Sequence, residues 1–314
     1  MSKPVLFVTG LGADLKRAEN MRVIYDAYLG EKHFMSAGNP DFENIVGSGQ
    51  FDVMVIDIFP RIKPKKCIMI WHAIQGGKYI GLDQKGTYYR EDMAELMDYI
   101  VVAGRGGVDM FHQCTHVPKE RILNLGMPRT DRYAEHPGTG HEGSGERVYL
   151  FAPTFRGRSD PPMPEIDWKE ASRWLNDNET LVVKPHPYGQ PFMIRGYRNI
   201  IEVDRMEPTV GYLYKADVVI TDYSSIMFDA WLLGKPVVLF EKEKGYADRR
   251  GMYLEYPQRY CSRYTQSEWG MVHLARDAKI LRSEEISCRD YVADMCDGHA
   301  CERIIRLIDE VNGA

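Results

Sequence analysis

No stretch of about 18 apolar residues occurs in the 314-residue chain, so no transmembrane helix is expected and any membrane contact is peripheral. The opening apolar run, Val5 to Val8, is too short for a signal peptide. The six cysteines are scattered with no C-x-x-C pair, which points to reduced thiols in a cytoplasmic protein rather than a disulfide framework. A large excess of charge of one sign is also lacking. A formal net charge of −5 gives no general nucleic-acid signal. No Gly-x-Ser-x-Gly and no Gly-x4-Gly-Lys-Ser/Thr occur, which weakens serine-hydrolase and P-loop readings. No Asp-x-Asp triplet occurs, so a carboxylate pair holding a metal-bound nucleotide has no local sequence.

What is present is an alternation of strand and helix patterns. Val5–Thr9, 51–58, 67–71, 99–103 and 121–125 read as strands of a first sheet. Gly10-Leu11-Gly12 starts a dinucleotide fingerprint, but position 15 is leucine, so a tight strand-to-helix turn is the better reading. Residues 134 to 146 hold four glycines and no large apolar side chain, which is linker composition. Strands at 148–152, 181–184, 200–203, 218–220 and 237–240 follow, with helices at 168–175, 209–215, 226–233 and 267–274 and a strong helix within 291–311. This alternation predicts an α/β fold of two doubly wound, Rossmann-like domains facing a cleft. The expected division is 1–135, a linker at 136–146, and 147–314, with the last helix free to pack back on the first domain.

Candidate residues cluster at predicted strand ends, where such folds bind ligands. His72 follows the strand 67–71, and its ordinary pKa near 6.5 suits a general base. Two glycines and Lys78 behind it suit a loop approaching an anion. His186 is bracketed by Pro185 and Pro187 on a stiff, extended segment beside Lys184. Thr154, Phe155 and Arg156 follow the strand 148–152, and Arg suits bidentate phosphate contact. Thr221, Asp222, Ser224 and Ser225 crowd a strand-to-helix turn, a natural anion site for which plain helix capping is the competing account. Arg129 and Asp131, in Gly-Met-Pro-Arg-Thr-Asp, either line the cleft or lock a hinge, and a structural role is favoured for Asp131. His112, Cys114 and His116 lie close together, but Pro118 ends their helix and no carboxylate joins them, so no metal site is expected. The Tyr- and Arg-rich segment 246–264 reads as a folded cleft wall rather than a nucleic-acid platform, because acidic residues intervene.

Taken in order, these elements resemble the CDP-glycerol glycerophosphotransferase family of teichoic-acid and capsule polymer enzymes. The resemblance runs from Trp71 to the C-terminus. It rests on Trp71-His72-Ala73 with Lys78, Gly81 and Asp83; on Gly126 to Asp131; on Ala152 to Arg156; and on Lys184-Pro185-His186-Pro187. It rests further on Thr221 to Ser225 with Phe228-Asp229, on Arg250-Gly251-Met252-Tyr253, and on Asp297-Gly298-His299-Ala300. Lys184 stands where the family carries Arg, and Ala73 where it carries Gly.

The resemblance implies a glycosyltransferase-B fold and transfer of a polyol phosphate from a CDP-linked donor to a polymer or lipid-linked acceptor. The enzyme would be cytoplasmic, with peripheral contact at the inner face of the membrane. His72 would take the acceptor proton. His186, with Thr154, Arg156, Lys184, Thr221, Asp222, Ser224 and Ser225, would hold the donor pyrophosphate, and Lys78, Arg129, Asp131 and Arg250 would line the cleft. No cofactor and no metal are expected. Two alternatives stay open: a transferase of the same fold using a nucleotide-sugar donor, and a non-catalytic nucleotide-binding module.

Overall fold

The computed structural model describes residues 3–10, 19–76, 93–135, 145–154, 156, 163–243, 246, 251–252, 260–261 and 263–313. Two compact units form. Unit 1 is Met1–Glu135 together with Asp290–Ala314, and unit 2 is His136–Arg289. Residues 290–314 therefore belong to the first unit rather than to the second, where the sequence reading ran the boundary to 314.

Unit 1 is built on a parallel sheet of strands β1 (Val5–Thr9), β2 (Lys32–Ser36), β3 (Val53–Ile56), β4 (Lys66–Ile70), β5 (Tyr99–Val102) and β6 (Ile122–Asn124). Their order is β2-β1-β3-β4-β5-β6. Successive side chains of a strand point to opposite faces, and a parallel sheet buries both. Leu6, Val8, Met54, Ile56, Met69 and Ile100 accordingly fill one core, while Val5, Phe7, Val53, Val55, Ile68 and Ile70 fill another. The helix Ala300–Asn312 covers the second core with Ile304, Leu307 and Ile308.

Unit 2 repeats the plan with β7 (Arg147–Phe151), β8 (Glu179–Val183), β9 (Ile200–Glu202), β10 (Val218–Thr221), β11 (Val237–Phe240) and β12 (Tyr264–Thr265). The order β9-β8-β7-β10-β11-β12 is the 3-2-1-4-5-6 arrangement of a dinucleotide-binding sheet. The helices Trp168–Trp174 and Glu268–Asp277 pack on one face over Tyr149, Phe151, Leu181, Ile220 and Val238. Leu150, Val219, Val237 and Leu239 alternate with these and are buried too, with the helix Ile226–Leu232 against β10 and β11.

Two strands are absent from the sequence reading. Lys32–Ser36 is an edge strand with only Met35 buried, so it shows no apolar run. Tyr264–Thr265 is too short to show one. Among the described residues no helix is long and apolar enough to cross a membrane.

Candidate functional site

In a doubly wound sheet, ligands bind beyond the carboxyl ends of the strands where the strand order reverses. In unit 2 that point lies between β7 and β10. Thr221, at the end of β10, is fully buried and its hydroxyl donates to the Ala152 carbonyl at 2.7 Å. Asp222 follows, also buried. It accepts the Thr154 N–H at 2.7 Å and the Tyr223 N–H at 2.6 Å, and pairs with the Arg156 guanidinium at 3.1 Å. Thr154 and Asp222 thus stitch the turn after β7 to the turn after β10.

Arg156 is nearly buried. It donates to the Thr154 carbonyl at 3.0 Å, reaches Glu243 at 3.4 Å and lies over the Tyr246 ring at 4.3 Å. Tyr246 stacks on Tyr223 with ring centroids 4.4 Å apart. The cation therefore sits among two carboxylates and an aromatic face and ties the turns of the switch point together. Ser224 and Ser225 are half-buried. Ser225 occupies the cap position of Ile226–Leu232, yet its side chain makes no capping hydrogen bond. Plain capping therefore does not account for that hydroxyl.

His186 stands three residues past the end of β8, just before a turn. Its Nδ1 accepts the Tyr188 N–H at 3.1 Å. A ring nitrogen that accepts from an amide carries no proton, so the neutral ring holds its proton on Nε2 and donates from there. Lys184 is buried, and its ammonium donates to the carbonyls of Pro185 at 3.1 Å and Arg205 at 2.8 Å. It stiffens the segment carrying His186 rather than standing at the surface.

In unit 1 the strand order reverses between β1 and β3. Thr9 Oγ1 donates to Asp57 Oδ2 at 2.7 Å and the Gly10 N–H to Asp57 Oδ1 at 2.8 Å. Burial pushes the Asp57 carboxyl up, against these two hydrogen bonds. One strand further on, His72 is exposed just past β4, its ring 4.4 Å from that of Trp71. Its Nδ1 lies 3.4 Å from the Asp57 carbonyl, a long hydrogen bond. A carbonyl only accepts, so Nδ1 is the protonated nitrogen and Nε2 carries the lone pair. In the neutral rings these contacts favour opposite tautomers, His72 an acceptor at Nε2 and His186 a donor.

Arg129 donates to the His72 carbonyl at 2.8 Å. Asp131 accepts the N–H groups of Ala300 at 2.9 Å and Cys301 at 2.7 Å, which makes it the cap of the last helix. His112 engages the Val117 carbonyl at 2.8 Å and Cys114 is buried, so both are parts of a packed helix end. Lys78, Arg250 and Phe155 lie outside the described residues, as do Gly81, Asp83 and Tyr253.

Four residues of these arrangements carry no sequence motif. Asn20, whose amide donates to the Trp71 carbonyl at 3.0 Å, and Glu243 have no distinguishing signal. Tyr246 was visible only as part of an aromatic segment. Asp57 had a signal: a lone carboxylate within the otherwise apolar run Val53 to Phe59.

A family profile described as CDP-Glycerol:Poly(glycerophosphate) glycerophosphotransferase matches residues 44–310. The chain belongs to this family. It is 25% identical over 293 residues to the teichoic acid poly(ribitol-phosphate) polymerase of Bacillus spizizenii, covering 82% of this chain and 46% of that protein. It is 26% identical over 234 residues to the teichoic acid glycerol-phosphate primase of Bacillus subtilis, covering 66% of this chain and 60% of that one. The chain thus spans about half the length of these relatives. The solved structure of the wall teichoic acid polymerase TagF superposes with a TM-score of 0.75 at 18% identity, covering 99% of this chain and 89% of that one. The likeness gives the family member a glycosyltransferase-B-like fold.

Proposed function

We propose that this protein transfers a polyol phosphate from a CDP-linked donor to an acceptor hydroxyl, releasing CMP, in the synthesis of a teichoic-acid-type polymer. The observation that carries the reading is the pair of opposed histidine tautomers, each at the end of a parallel strand, in a chain of this family. Attack at phosphorus needs an acceptor for the hydroxyl proton and donors for the charge that builds on the departing phosphate.

In this reading the acceptor oxygen attacks the distal phosphorus of the donor. Its proton passes to His72 Nε2, the bond from that phosphorus to the bridging oxygen breaks, and CMP leaves with the electron pair. The Nε2–H of His186 and the hydroxyls of Ser224 and Ser225 hold the pyrophosphate. Thr154, Arg156, Lys184, Thr221 and Asp222 fix the turns that carry them. Fixed donors of this kind suffice where catalysis is mostly positioning and charge stabilisation, so no metal is required. The acceptor is a polymer or lipid-linked chain, met at the cytoplasmic face of a membrane through peripheral contact.

The names of the relatives divide between ribitol phosphate and glycerol phosphate. Screening CDP-glycerol, CDP-ribitol and UDP-sugars for release of CMP or UDP with a lipid-linked glycerol-phosphate acceptor is the test. CMP from either CDP-polyol supports the proposal. UDP release with no CMP makes the protein a sugar transferase instead. No release with any donor, together with donor binding, makes it a nucleotide-binding module.

A further inference from the structure

Asn20 lies in the helix Glu19–Ala27, outside the residues 44–310 that the family profile matches. It is 4% exposed, an unusual place for an amide unless every polar atom is used. Its Nδ2 donates to the Trp71 carbonyl at 3.0 Å, and its Oδ1 accepts the Arg129 N–H at 3.1 Å. Arg129 in turn donates from its guanidinium to the His72 carbonyl at 2.8 Å. The carbonyls of Trp71 and His72 are consecutive, so one amide and one guanidinium pin both peptide groups that set the direction of the His72 side chain. The same amide holds the backbone of Arg129, which closes the ring of contacts.

We infer that Asn20 is a positioning residue for His72, acting through the Trp71 carbonyl and Arg129 to keep the imidazole where Nδ1 meets the Asp57 carbonyl and Nε2 stays unprotonated. The catalytic consequence rests on the proposed role of His72 as base. The tautomer consequence does not. Loss of the pin frees the Trp71–His72 peptide to rotate and lets the ring exchange its tautomers. A displacement of the base of even a fraction of an ångström is costly, since ~1 Å is worth roughly a hundredfold in rate.

The test uses the full chain with 15N-labelled histidine, the His72 signal being assigned by its loss in His72→Gln. The wild-type ring is expected as the Nδ1–H tautomer at neutral pH. In Asn20→Ala it is expected to shift toward the Nε2–H form. CMP release from CDP-glycerol should fall about tenfold or more in kcat, with KM for CDP-glycerol unchanged. Asn20→Asp keeps the acceptor for Arg129 and loses the donor to Trp71. It provides the same readout if the alanine variant does not fold, and an intermediate tautomer shift supports the inference. An unchanged His72 tautomer in a folded Asn20 variant overturns the inference, whatever happens to stability. Undiminished turnover in His72→Ala overturns the base reading alone, because the tautomer measurement still decides whether Asn20 holds the ring.

Discussion

The carboxylate of Asp131 accepts the backbone N–H of Ala300 at 2.9 Å, across 169 residues of sequence. Its second oxygen takes the N–H of Cys301, so one side chain satisfies two of the donors that a helix start leaves open. His299, at the cap position itself, makes no side-chain capping bond. Asp131→Ala should therefore lower stability by about 1–2 kcal/mol in urea unfolding, and Asp131→Asn by less. An Ala variant as stable as the wild type would remove Asp131 from the cap.

Gly126, five residues earlier, has φ +88°, and a Cβ added there would lie 2.2 Å from the Met295 carbonyl oxygen. Backbone on both counts forbids a side chain. Gly126→Ala should lose more than about 1 kcal/mol of stability. A melting temperature within a degree of the wild type would show that the turn relaxes to accept the methyl group.

His72→Ala removes the acceptor nitrogen while leaving unit 2 untouched. CMP release should drop by about a hundredfold or more, the usual worth of a general base. Donor affinity, measured by calorimetry, should stay within about twofold of the wild type, well inside that kinetic effect. A large loss of donor affinity would mean that His72 binds rather than abstracts.

Turnover should persist in excess EDTA, because the proposed chemistry relies on fixed hydrogen-bond donors. Loss on chelation followed by recovery with a divalent ion would require a metal in the mechanism.

Glu179 is buried, which by itself would raise its pKa. Arg276, bound at 2.7 and 2.6 Å, the Asn176 N–H and the Tyr149 hydroxyl instead bring it down to about 2. A carboxylate depressed in the folded state contributes stability above its unfolded pKa, and that contribution disappears as pH falls through the folded value. Glu179→Gln should accordingly lose roughly 2 kcal/mol at neutral pH and flatten the acid limb of the stability curve between about pH 4.5 and pH 2. Parallel acid limbs in the two proteins would show that another group controls that range.

Much of this architecture is legible in the sequence, because it follows from short β-branched runs. Val237–Phe240 and Thr209–Lys215 are read to the residue. The helical face of Ile304, Leu307 and Ile308 is visible as well, but a face does not name the surface it covers. That is why the sequence leaves the last helix free to pack on either domain, and the contacts place it on the first. At the candidate site, strand-end histidines flanked by Trp or Pro stand out locally. The Asn20 amide and the Asp57 carboxylate act through partners 47 to 109 residues away, and no window along the chain brings those partners together.

The return of residues 290–314 to unit 1 also sets an order of assembly during translation. Unit 2 is an uninterrupted segment and is complete in the nascent chain while unit 1 still waits for its closing helix. Until Ile304, Leu307 and Ile308 emerge from the ribosome, Val5, Phe7, Val53 and Val55 lack part of their cover. Only then does the Asn312 amide reach the Lys3 carbonyl at 3.0 Å. Of the two units, the one that begins first is therefore finished last. A premature stop between residues 289 and 304 would leave unit 2 intact and the apolar sheet of unit 1 without its closing helix, a product suited to chaperones and proteases rather than to catalysis.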